Sequence, residues 1–231
     1  DEMSIKGDAV PVQVIKNRFG YIDPQADAAG VSYLGESKGP ERDKKLLFYL
    51  MQHRHTTPFE MVEFKFRVKC PMIVARQWMR HRSFSFNEIS RRYTSEEIEF
   101  YIPDTWRTQA ESNKQASGAD LDPAVSAEIS AALRAHCESG LALYNNAINA
   151  GVAREMARLF LPHNLYTQFI AKIDAHNLMH FLELRMASDA QEEIRRYAWV
   201  IFEEFFKPAL PWTAEAFEKF IIPTLGPLNT P

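Results

Sequence analysis

"MVEFKFRVK", residues 61 to 69, sets Val62, Phe64, Phe66 and Val68 against Glu63, Lys65, Arg67 and Lys69 in strict alternation. Successive side chains of an extended chain point to opposite faces, so this period of two predicts a strand with one face buried and one in water. A parallel strand covered on both faces would read as a continuous apolar run, and the alternation therefore favours an antiparallel sheet.

On the N-terminal side, "DKKLLFYLMQHRHTTPFE" (43–60) reads as a helix that ends before Pro58, because a proline ring pushes the preceding residue out of helical geometry. His53, His55 and Thr57 fall in the following loop. On the C-terminal side, "PMIVARQWMRHR" (71–82) predicts a helix with Pro71 at its first position. Its apolar side holds Met72, Val74, Ala75, Trp78 and Met79, and Arg76, Gln77 and Arg80 fall together opposite. "IEFYIP" (98–103) and "NLYTQFIAKID" (164–174) predict strands, and "RTQAESNKQASGADLD" (107–122) predicts a polar surface loop. Asp122 and Pro123 suit the cap and first turn of a long helix to about Asn149, closed by Gly151. "VAREMARLFLP", "AHNLMHFLELRMA" and "DAQEEIRRYAWVIFEEFF" predict further helices. The expected fold class is α/β of the α+β type, an antiparallel-rich mixed sheet flanked by helices, with residues 1–231 as one domain.

Composition excludes several classes. Hydrophobic residues at 46% and charged residues at 25% are ordinary for a globular chain and argue against disorder. A net charge of −3 argues against a general nucleic-acid binder, whose footprint is a basic domain. Two cysteines, Cys70 and Cys137, without a CxxC pair exclude a disulfide framework and fit a reducing cytoplasm. The opening "DEMSIKGDAVPVQV" lacks the apolar run of a signal peptide, and no stretch of about 18 apolar residues predicts a membrane-spanning helix.

Cationic work must then be local, and "RHRSFSFNEISRRY" (80–93) concentrates it. Cations at a helix C-terminus complement the macrodipole, which accounts for Arg80, His81 and Arg82 alone but not for Arg91 and Arg92. Two unit charges about 4 Å apart repel by roughly 4 kcal/mol at an effective dielectric near 20, so the cluster favours an anionic partner that Glu88 cannot supply for all. Phosphate fits, because the guanidinium fork matches its oxygens while hydroxyls and Asn87 reach sugar or base. Neither a dinucleotide fingerprint nor a P-loop is present, so side chains would hold it. A different reading is a non-catalytic single-stranded RNA or nucleotide-binding module in which Phe84, Phe86 and Tyr93 stack on bases.

The same stretch resembles the Arg-His-Arg, seven residues, Ser signature of flavin-dependent thymidylate synthases. The resemblance extends in order through "VSY" (31–33), "HTTPFE", "ARQW", "SRRY", "EFYIP", "VAREMARLFLP", "NLYTQF" and "LMHFLELRM". It implies a homotetramer with active sites where subunits meet, which uses methylenetetrahydrofolate and NADPH with FAD to turn dUMP into dTMP. By the same resemblance Ser32, His55, Thr57, Glu60, Arg80, His81, Arg82, Asn87 and Glu88 would lie around FAD. Gln77, Arg80, Glu88, Ser90, Arg92, Arg158 and Arg185 would hold dUMP, with Arg185 favouring the ionised uracil and no covalent protein nucleophile required.

The match is loosest where Asp174, His176 and His180 stand in place of the family's asparagine and arginine donors to the flavin's adenosine part; contacts there are expected to persist with different donors. Asp189 replaces a common histidine. His176 and His180 have the i, i+4 spacing of a zinc pair, but the glutamate of H-E-x-x-H is absent and no metal is expected. Ser90, surrounded by arginines, reads as a hydrogen-bonding group rather than a nucleophile, and both cysteines as packing residues.

Overall fold

The computed structural model describes residues 12–14, 39–93, 98–110 and 116–226. Its elements, in chain order, are β1 (Val12–Val14), α1 (Pro40–Gln52), a 3-10 turn (Thr57–Met61), β2 (Glu63–Pro71), α2 (Met72–Trp78), β3 (Ser85–Glu88), β4 (Arg107–Gln109), β5 (Ser117–Asp120) and α3 (Pro123–Asn149). There follow α4 (Arg154–Ala157), a 3-10 turn (Arg158–Phe160), β6 (Tyr166–Asp174), α5 (Ala175–Met186), α6 (Glu192–Val200), a π-helical segment (Ile201–Phe206), α7 (Lys207–Ala209) and α8 (Pro211–Phe220). Among the described residues the strands form a sheet of order β1-β2-β6-β3 and an antiparallel pair β4-β5.

β2 is the strand the alternation predicts: Phe64, Phe66, Val68 and Cys70 are buried while Glu63, Lys65 and Arg67 are exposed. β6 runs antiparallel to it, since Ala175 N donates to Val62 O at one end and Met72 N to Leu165 O at the other, both over short distances of 2.8 and 2.9 Å. The mixed fold class with an antiparallel sheet and flanking helices is thus the one expected. No helix among the described residues is long and apolar enough to cross a membrane.

The described residues divide into two compact units. The first contains Val68–Arg80 and Asn87–Phe169. Trp78 packs edge-on against Phe169 at 5.6 Å, and a cluster of Phe100, Ile102, Cys137 and Leu165 lies under α3. Asp122 caps α3 by accepting from Ala124 N and Val125 N, and Gly151 takes the left-handed φ of 86° that lets the chain leave the helix. The second unit contains residues 39–67, His81–Phe86 and 170–226, with a core of phenylalanines in which Phe64 stacks on Phe66 and on Phe206, each at 5.8 Å.

Four local expectations are corrected. Pro71 closes β2 with extended ψ of 147° rather than opening α2, because its missing N–H is harmless at a strand end. α2 stops at Trp78, so Arg80 lies past the helix, tied back by its own N–H to Gln77 O at 3.3 Å. Residues 98–103 make a single bridge, Phe100 to Leu165, instead of a strand. The 107–122 stretch contains the pair β4-β5, whose polar residues carry little periodic signal because both faces are largely exposed.

Candidate active site

The first unit carries Gln77, Arg80, Asn87, Glu88, Ser90, Arg92 and Arg158. Arg92 is drawn onto Ser90: its backbone N–H and its Nε both donate to Ser90 Oγ, at 3.3 and 3.5 Å, while its Nη2 donates to Tyr93 Oη at 3.2 Å. Ser90 therefore accepts from an arginine. Glu88 is held from β6, with Thr167 Oγ1 donating to its Oε1 at 2.6 Å. Arg158, on the 3-10 turn after α4, donates from Nε to Glu155 O at 3.2 Å. Among the described residues, Gln77 Oε1 is buried without a hydrogen-bond partner.

The second unit holds a cleft of about 330 Å³, within the range of small-molecule sites. Leu50, Met51, Phe59, Met179, Phe217 and Ile221 give it apolar walls, and Arg54, His55, His176, Asn177, His180 and Glu183 give it polar groups. His55 lines this cleft together with His176 and His180, more than a hundred residues on, because α5 turns one face to the loop after α1. Thr57 and Glu60 stand on the neighbouring 3-10 turn and are not among the lining residues; Glu60 Oε1 accepts from Thr56 Oγ1 at 3.2 Å. Asp174 is occupied as the cap of α5, accepting from Asn177 N at 2.8 Å and from Asn177 Nδ2 at 2.7 Å. Ser32 lies outside the described residues. Among those residues no group of three or more His, Cys, Asp or Glu is placed to hold a metal ion.

Arg54, Asn177 and Glu183 escaped the sequence reading. His176, His180 and Glu183 fall at i, i+4 and i+7 on α5, the one signal that could have found the last. Arg54 owes its place to a left-handed φ of 54°, which nothing in the sequence announces.

His81 and Arg185 also belong to the second unit, where Arg185 Nε donates to His81 Nε2 at 2.9 Å. Burial first, then the charge of Arg185, then that of His180, lowers the His81 pKa to about 4. Arg82 is exposed. Among the described residues, no carboxylate stands within ion-pair distance of Arg80, Arg82, Arg92, Arg158 or Arg185. Arginines without a carboxylate partner suit anions in each unit, and the cleft, with apolar walls and imidazole groups, suits a ring system with a polar edge.

A family model described as thymidylate synthase complementing protein matches residues 20–212. A flavin-dependent thymidylate synthase of Thermus thermophilus is 52% identical over 196 residues, covering 84% of this chain and 71% of that protein. The chain belongs to the flavin-dependent thymidylate synthase family. It is an enzyme of that type. The synthase of Thermosipho africanus is 48% identical over 193 residues, covering 84% of each chain. Among solved structures, a UMP/dUMP methylase, PolB from Streptomyces cacaoi, bound with 5-Br dUMP superposes with a TM-score of 0.82 at 30% identity, covering 92% of this chain and 96% of that one. The likeness to flavin-dependent thymidylate synthases thus rests on most of the chain, not on the Arg80–Ser90 signature alone.

Proposed function

We propose that this chain, acting over 1–231 as one synthase domain, forms a cytoplasmic homotetramer that converts dUMP to dTMP at sites where subunits meet. Methylenetetrahydrofolate supplies the carbon and NADPH supplies the reducing equivalents. The observation that supports this reading is that Arg80, Arg82, Arg92, Arg158 and Arg185 have no carboxylate partner among the described residues, a lack that the dianionic phosphate and electron-rich pyrimidine of dUMP would satisfy.

In this reading Arg80, Arg92 and Arg158 bind the nucleotide's charge, and Gln77, Glu88 and Ser90 bond its neutral polar groups. Arg185 favours the ionised uracil at N3 and O4, which raises electron density at C5. C5 then forms the bond to the methylene carbon, the carbon–nitrogen bonds that held that carbon to the folate break so that tetrahydrofolate leaves, C5 gives up its proton, and no protein atom is bonded covalently. The residues that would hold FAD are Ser32, His55, Thr57, Glu60, Arg80, His81, Arg82, Asn87, Glu88, Asp174, His176 and His180; when bound, it supplies the hydride that reduces the transferred carbon to methyl.

The test is dTMP formation by purified protein given FAD, dUMP, methylenetetrahydrofolate and NADPH, each omitted in turn. Product that requires all four is the expected result; folded, flavin-bound protein that forms none overturns the reading. A second reading, methylation of UMP as well as dUMP, is favoured by the likeness to a UMP/dUMP methylase. UMP offered in place of dUMP decides it.

A further inference from the structure

Arg185 stands in the last turn of α5, where the carbonyl end of a helix favours a cation. A half-buried arginine would ordinarily also take a carboxylate. Here its only hydrogen bond to the described residues runs from Nε to His81 Nε2, at 2.9 Å. A guanidinium has donors alone and does not give up its proton, so the nitrogen that accepts from it carries none. His81 is therefore the neutral tautomer with its proton on Nδ1, and the Arg-His-Arg motif contributes two cations and one neutral group instead of three cations.

The ring is set by packing as well as by charge. Phe181 meets it edge to face at 4.9 Å and 73° from the preceding turn of α5. Phe181 in turn meets Phe84 at 5.4 Å, and Phe84 stacks on Phe86 at 5.4 Å. The 81–86 segment and α5 thus share an aromatic wall in which the imidazole has one productive orientation. Burial first, and then the charge of Arg185, lower its basicity and keep it an acceptor at neutral pH.

We propose that His81 is a positioning residue for Arg185: Nε2 of its Nδ1–H tautomer fixes the Nε edge of the guanidinium, which leaves Nη1 and Nη2 as a paired donor edge for the planar imide of a pyrimidine nucleotide. A free arginine samples many rotamers, and a fork held from one side loses less freedom when it binds a planar ligand. The functional half of this inference rests on the reading of Arg185 as the group that activates uracil.

The experiment has two readouts. In ligand-free protein, nitrogen NMR of labelled histidines should show one ring with Nδ1–H and a bare Nε2 that stays neutral at pH 6, and Arg185→Ala should restore its protonation. In turnover, His81→Leu should lower kcat by about tenfold with a smaller change in the KM for dUMP. His81→Gln, whose amide oxygen can accept from the guanidinium, should recover most of that loss. His81→Leu placed on Arg185→Ala should add nothing. A protonated ring or an Nε2–H at neutral pH overturns the contact. Losses from His81→Leu and Arg185→Ala that multiply, in wild-type-active protein, overturn the positioning role and leave the synthase reading standing. Wild-type protein that forms no dTMP overturns the synthase reading, while the NMR result still decides the tautomer.

Discussion

Thr167 Oγ1 donates to Glu88 Oε1 at 2.6 Å, so a buried hydroxyl on β6 holds the carboxylate at the end of β3. That bond restrains one carboxylate oxygen beside the cationic stretch 80–93. Removing the donor with Thr167→Val preserves side-chain shape and frees Glu88 to pair with a neighbouring cation. We expect a loss of stability of about 1 kcal/mol and a KM for dUMP raised by roughly fivefold, the factor that energy corresponds to. Steady-state kinetics with an unchanged KM would show that Glu88 needs no such restraint.

Gly140 of α3 faces the turn that carries Arg158. A Cβ there would meet Phe160 O at 2.7 Å, a backbone atom that cannot move aside cheaply. Gly→Ala in a helix gains about 1 kcal/mol of propensity, but overpacking against a fixed neighbour costs about 1–3 kcal/mol. The net for Gly140→Ala is destabilisation, read as a lower denaturant midpoint, with weaker dUMP binding as the Arg158–Phe160 turn shifts. A more stable variant would mean that the turn yields freely.

Acid stability depends on His81. Its folded pKa is lowered to about 4 from the ordinary 6.5 by burial, Arg185 and His180, so between those values the unfolded chain binds a proton that the folded chain refuses. Stability contributed by the neutral ring is complete above about pH 6.5 and is lost as pH falls toward 4. Denaturation midpoints measured at pH 7 and pH 4.5 should fall further for the wild type than for His81→Gln, which has nothing to protonate. Parallel falls would assign acid sensitivity to other groups.

The cysteines should be inert. Burial, and then the charge of Glu88, pushes the Cys70 thiol well above its ordinary range. Burial raises Cys137 against the opposing hydrogen bond from Asn164. Both remain protonated at neutral pH and inaccessible, so iodoacetamide should label neither in the native protein and both after unfolding, with dTMP formation unaffected by native treatment. Inactivation that tracks modification of either thiol would point to a covalent mechanism.

The sequence by itself determined the elements whose causes are local. The alternation at 62–68 specifies β2 because side-chain direction repeats every two residues, and Asp122 with Pro123 specifies the start of α3 because a cap acts within three residues. The anionic ligand was also legible, since five cationic or imidazole groups in 80–93 cannot all be neutralised by one glutamate.

Only the tertiary structure decided the rest. Local pattern left the β4-β5 pair invisible because its exposed residues show no buried face, and it extended α2 through Arg80 because nothing within the helix marks the stop at Trp78. His81 became a neutral acceptor through Arg185, 104 residues away, and the cleft formed when α5 brought His176 and His180 to His55. Protonation state and ligand shape depend on which groups meet in space, and that is set by packing between distant segments, not by spacing along the chain.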